Sequence, residues 1–148
     1  MSDLKNRISE ATTAAMKARE KAEVAALRMI NAELKRVEVD ERRELTDEDV
    51  LAILNRMLKQ RRDALSAYQD ARRQDLADQE QFEIALISRF LPEPLDAAAL
   101  AEVIRDAIAE NNAETMKDMG KVMATVKTKV AGRADMSVVS AQVRAALS

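Results

Sequence analysis

Leu91-Pro92-Glu93-Pro94 interrupts a chain that otherwise reads as helix, and it decides how the molecule is organised. A residue before proline avoids the α region, and proline has no amide hydrogen to donate, so two prolines one residue apart enforce an extended connection. Both prolines of the 148 residues are here. The stretch reads as a linker, residues 92–94, between an N-terminal helical domain over residues 1–91 and a small C-terminal domain over residues 95–148.

Upstream, apolar spacing predicts about four helices. Ser2 is an N-cap candidate for a first helix to about Ala18, with a stripe of Leu4, Ile8, Ala11 and Ala15. A second, from about Lys21 to Glu38, carries Leu27, Ile30, Leu34 and Val37, and the polar run Asp40–Glu44 reads as its connection to the next. Thr46 with Asp49 has the spacing of a capping box, and Asp47, Glu48 and Asp49 suit the positive end of a helix dipole. The third helix carries Val50, Leu54, Met57, Leu58, Leu65 and Tyr68 on one face. The fourth, Gln74 to Leu91, is apolar nearly all round in its second half (Phe82, Ile84, Leu86, Ile87, Phe90, Leu91), which predicts the most buried turn of this half. No proline or glycine separates helices three and four, so a boundary at Asp70–Arg73 and one continuous helix are both open.

Downstream the pattern predicts three helices. The first is capped by Asp96 and buries Leu100, Val103, Ile104, Ala107 and Ile108 until Asn111-Asn112 ends it. The next starts near Asp118 and stops at Gly132, and the last starts at Ser137 and buries Val139, Val143, Ala146 and Leu147. The whole is an all-α protein.

Composition agrees. Hydrophobic residues are 47% but aromatic ones only 2%, so the core must be built from Ala, Leu, Ile, Val and Met. With no cysteine and no histidine, the chain lacks thiolate chemistry, the commonest general base and the commonest metal ligand. No phosphate-binding loop, dinucleotide fingerprint or nucleophile elbow occurs, and the serines have no histidine partner. The reading is therefore no catalytic residue, no cofactor and no metal. No apolar run is long enough to span a membrane, and the start lacks a signal-peptide core, so a cytoplasmic location is expected.

Both glycines fall in Lys117–Asp135, KDMGKVMATVKTKVAGRAD. Between Lys117 and Arg133, five bases (Lys117, Lys121, Lys127, Lys129, Arg133) face one acid, Asp118, a local charge of +4. Asp96–Glu114 before it holds five acids and one base, −4, while the chain as a whole carries −2. Any attraction to nucleic acid must therefore be local. At ~100° per residue, Val122, Met123, Val126 and Val130 share one face, while Lys121, Ala124, Thr125 and Thr128 lie opposite with Lys127 and Lys129 at the borders. Small and hydroxyl residues among lysines suit close approach of a phosphate backbone, and Gly120 at the helix start would leave N–H groups for a phosphate. On spacing alone, Gly132 is equally a C-cap, Gly120 equally a site of tight packing against the preceding helix, and the lysines equally a solvated face.

A second cluster, Lys59-Gln60-Arg61-Arg62 with Arg72-Arg73, lies beside Asp63, Asp70, Asp75 and Asp78 and reads as a salt-bridged surface. Tyr68, on the Leu65 face, reads as core.

Five blocks together resemble the YqeY family: Lys59-Gln60-Arg61-Arg62-Asp63, Arg73-Gln74-Asp75-Leu76-Ala77-Asp78, Phe90-Leu91-Pro92, Met116-Lys117-Asp118-Met119-Gly120-Lys121-Val122-Met123 and Gly132-Arg133-Ala134-Asp135. These small bacterial proteins are similar to the tail region of the GatB subunit of tRNA-dependent amidotransferase. The resemblance implies a helical domain followed by a three-helix domain, and a tie to the body of tRNA. The family pattern often has Gly where this chain has Arg72, Ala124 and Met136, and Pro near Lys127. Those departures bear on loop flexibility and the fine shape of the patch. The catalytic GatB cradle is absent, so the amidotransferase chemistry does not carry over. The implied function is a tRNA-binding or tRNA-associated module, with Lys117, Lys121, Lys127, Lys129 and Arg133 on phosphates, Gly120 and Gly132 shaping the approach and Thr125 adding a polar contact. A protein–protein adaptor, and an accessory to glutamine-dependent amidotransferase activity, are the alternatives.

Overall fold

The computed structural model describes residues 2–148, and among these it contains seven α-helices and no strand. They are α1 (Asp3–Lys17), α2 (Lys21–Glu41), α3 (Asp47–Asp70), α4 (Gln74–Ser88), α5 (Ala97–Glu110), α6 (Met119–Val130) and α7 (Met136–Leu147), with a 3₁₀ turn at Met116–Asp118 before α6.

Short polar side chains set the starts of most helices. The Ser2 hydroxyl accepts from the Lys5 N–H (3.1 Å) and donates to the Asp47 carboxylate, which also accepts the Leu4 N–H (3.1 Å). One residue at the start of α3 thus closes the start of α1. The Thr46–Asp49 capping box is complete, with the Asp49 N–H on Thr46 Oγ1 at 3.2 Å and the Thr46 N–H on Asp49 Oδ2 at 2.8 Å. Asp96 caps α5 through the Ala99 N–H.

Helix ends differ more from expectation. α2 continues through Glu41, three residues past Glu38, while Arg36 holds Asp40 one turn on (3.1 Å). α3 and α4 are separate helices. Arg72 sits between them in the left-handed region (φ 58°), and the Arg73 N–H turns back to Tyr68 O (2.9 Å). The family pattern's glycine at this position matches that backbone conformation. α4 ends at Ser88 rather than Leu91, because Arg89, Phe90 and Leu91 each donate to the carbonyl three residues back and tighten the chain before Pro92.

The chain divides into two compact units, one ending at Leu91 and the other spanning Pro92–Ser148. The first is built on Ile8, Leu27, Ile30, Leu34, Val50 and Leu54, each essentially without exposed surface. Full burial of such a side chain contributes about 1.5–3 kcal/mol. The second is smaller and rich in valine: Val122, Val126 and Val130 of α6 meet Val139 and Val143 of α7 and Leu100, Ile104 and Ala107 of α5. The same polar device ties helices in each unit. Asn31 donates to Leu27 O and to Thr12 Oγ1, and Asn111 donates to Ala107 O and to Thr125 Oγ1. Each threonine in turn donates to its own i−4 carbonyl.

The second half of α4 is not buried all round. Phe82 is 40% exposed while the next residue, Glu83, is 8% exposed. Arg61 of α3 explains the difference, since its Nε lies 2.8 Å from Glu83 Oε2 and 3.7 Å from Glu80 Oε2. With Glu83, Leu86, Ile87 and Phe90 turned inward, Phe82 falls ~100° away from Glu83 and faces out.

Candidate nucleic-acid interface

The basic stretch lies within the second unit, where α6 buries Val122, Val126 and Val130 and exposes Lys121, Ala124, Lys127 and Thr128. A capped 3₁₀ turn leads into its start. The Asp118 carboxylate accepts the N–H groups of Glu114 (3.0 Å) and Thr115 (3.3 Å), which hold it below the ordinary carboxylate range. Thr115 Oγ1 accepts from Lys117 N–H (3.3 Å), and the Met119 N–H is on Met116 O. The backbone donors expected to serve a phosphate near Gly120 are therefore preceded by a turn that caps itself. Gly120 is exposed, and a side chain there would meet nothing within 4 Å, so packing against α5 does not require the glycine.

The far end is shorter than predicted. α6 stops at Val130, and Ala131 takes the left-handed cap (φ 46°), with Gly132 also at positive φ (80°). Arg133 is a fastener: its Nε donates to Glu93 O (2.6 Å) and its carbonyl accepts the Leu95 N–H (2.9 Å).

The five cations are not equivalent. Lys117, Lys121 and Lys127 are exposed, and Lys121 lies in the field of Asp118. Lys129 Nζ donates to Glu110 Oε1 of α5 at 2.5 Å. Thr125 does not offer its hydroxyl outward. Its proton goes to Lys121 O (3.1 Å), and its oxygen receives Asn111 Nδ2 (2.9 Å). Thr128 donates to Ala124 O. The structure thus ties Thr125, Lys129 and Arg133 to neighbouring segments and leaves the side chains of Lys117, Lys121 and Lys127 exposed.

In the first unit two arginines of the second cluster meet acids. Arg73 holds Asp75 (3.2 Å), and Arg61 turns inward to the two glutamates. Burial, reinforced by the Glu83 carboxylate, pushes Glu80 above the ordinary carboxyl range. The buried Arg61–Glu83 pair was not anticipated from the sequence. Its signal is the place of Arg61 four residues after Met57, in line with the apolar stripe of α3. Met29, 42% exposed, borders a small open slot with Ile30, Met57, Ile87, Arg61 and Glu83. Tyr68 is half-buried.

Among the described residues no group of three or more His, Cys, Asp or Glu side chains could hold a metal ion, and no helix is long and apolar enough to cross a membrane.

The chain is 33% identical over 78 residues to an uncharacterized protein of Schizosaccharomyces pombe, a eukaryotic relative although the resemblance implies bacterial ones. The match covers 53% of this chain and 63% of that protein, so it spans less than two thirds of the relative. The sequence pattern of the YqeY family, described as Yqey-like protein, matches residues 5–147, reaching across both units, and the chain belongs to that family.

Proposed function

We propose that this protein is a stand-alone tRNA-associated helical module with no active site of its own, and that α6 presents the contact surface. The observation that carries this reading is the exposed side of the 3₁₀ turn and α6, where Lys117 and Lys121 accompany the short side chains of Ala124 and Thr128. Charge there can approach a phosphate backbone without steric obstruction, and phosphate contacts need no base recognition. The second unit, Pro92–Ser148, contains no aromatic residue, so a stacking platform for unpaired bases is lacking there.

A salt titration with tRNA tests it. Two phosphate contacts, at Lys117 and Lys121, predict log affinity falling against log salt with a slope of about −1.8. Lys121→Glu should abolish binding near physiological salt. Absence of binding at low salt, or unchanged binding in that variant, would sink the reading.

The exposure of Phe82 and Met29 in the first unit favours a second reading, a protein–protein adaptor. A stoichiometric protein partner without RNA, recovered on purification from the native cell, would decide for it.

A further inference from the structure

We propose that Glu110 is a built-in competitor for phosphate at Lys129, so that Lys129 belongs to the basic stretch in sequence but not to the working contact surface. This rests on the RNA reading above. Glu110 is the last residue of α5, and its carboxylate receives Lys129 Nζ at 2.5 Å. Its side chain is exposed, but the chain beside it is held in place. The next residue, Asn111, is clamped by its Nδ2 between Ala107 O (2.7 Å) and Thr125 Oγ1 (2.9 Å). Thr125 lies one helical turn from both Lys121 and Lys129, so the end of α5 is seated on the flank of α6 between those lysines. The negative end of the α5 dipole adds to the carboxylate at that place.

The physical consequence is an exchange of anions. A phosphate reaching Lys121 displaces mobile counterions, whose release drives binding. A phosphate reaching Lys129 must displace a carboxylate fixed to the protein, which returns little. Lys129 therefore contributes almost nothing to affinity or to salt dependence while Glu110 is ionised. Removing the Glu110 charge should convert Lys129 into an additional contact.

The test compares Glu110→Gln, Lys129→Gln, the double variant, Glu102→Gln and Lys121→Gln, using tRNA with the full-length protein. Lys129→Gln should leave wild-type affinity nearly unchanged. Glu110→Gln should tighten binding about two- to five-fold, the range of an exposed ion pair, and steepen the salt slope by about 0.9. The double variant should return to the wild-type slope. Glu102→Gln removes a charge from the same helix and should leave the slope unchanged, which separates a local exchange from a general change of field. The rate of Lys129 acetylation by acetic anhydride, read by mass spectrometry without RNA, should rise in Glu110→Gln while other lysines keep their rates. If RNA binds but Lys129→Gln weakens it as much as Lys121→Gln, or if Lys129 acetylates equally fast in both proteins, the competitor role is overturned and the RNA reading stands. If no variant binds RNA, both fail together.

Discussion

Five residues with side chains occupy the left-handed backbone region: Arg19, Arg42, Arg72, Asn112 and Ala131, with φ between 46° and 59°. They lie just beyond the ends of helices, where glycine is the residue that avoids a clash between Cβ and the carbonyl. Ala131→Gly and Arg72→Gly should therefore each raise stability by about 0.5–1 kcal/mol, read as a higher urea midpoint with an unchanged slope. An unchanged or lower midpoint in both would refute the strain. At helix starts the same scale predicts acid sensitivity. The Arg43 guanidinium and the Thr46 N–H hold Asp49 well below the ordinary carboxylate range, and the Ser2 hydroxyl and Leu4 N–H lower Asp47. Because the folded values are depressed, their stabilisation is complete above the unfolded value of about 4 and is lost as pH falls through the folded values. The urea midpoint should decline on acidification from pH 5 towards pH 2. Asp49→Asn should lose about 1 kcal/mol at pH 7 and flatten that decline.

At the scale of elements, the α3–α4 pair is organised by a buried charge. Arg61 is set against Glu80 and Glu83, and all three side chains are at most a fifth exposed. Removing one partner leaves uncompensated charge in a poorly solvated place, whereas replacing the whole group by apolar residues need not destabilise. Arg61→Leu should cost about 2–4 kcal/mol at neutral pH. The loss should shrink as pH falls and Glu80, whose carboxyl burial pushes up, takes up a proton. Arg61→Met with Glu80→Leu and Glu83→Leu should recover most of it. A single-variant loss that is small and independent of pH would show that the cluster is solvated. The cluster also accounts for Phe82. Turning Glu83 towards Arg61 fixes the rotation of α4 about its axis and leaves the ring exposed.

At the scale of the molecule, two separate cores lie on either side of Leu91. We propose that each unit folds alone. A fragment of residues 92–148 should be helical by circular dichroism and unfold cooperatively, with a stability of at most about 3–5 kcal/mol, since so small a core supports little more. A fragment lacking helical signal would contradict independent folding. The lysines proposed to contact tRNA all lie in this unit, so on that proposal the fragment should keep the tRNA affinity of the whole chain.

What could be read along the sequence is what local physics controls. Ser2, Thr46 and Asp96 cap because a hydroxyl or carboxylate reaches N–H groups two or three residues on, and the apolar stripes follow from helical periodicity. The α3–α4 break could not be settled that way, because arginine rather than glycine holds the left-handed position. The all-α class, the caps of α1, α3 and α5 and the family were all legible in the amino-acid order. Which of the expected contact residues are tied elsewhere in the fold was not, since Thr125, Lys129 and Arg133 are engaged by residues 14, 19 and 40 positions away. Contacts at that separation depend on how helices cross, and a helical period carries no information about crossing. The sequence by itself determined where the cations are, and only the tertiary structure decided which of them are already occupied.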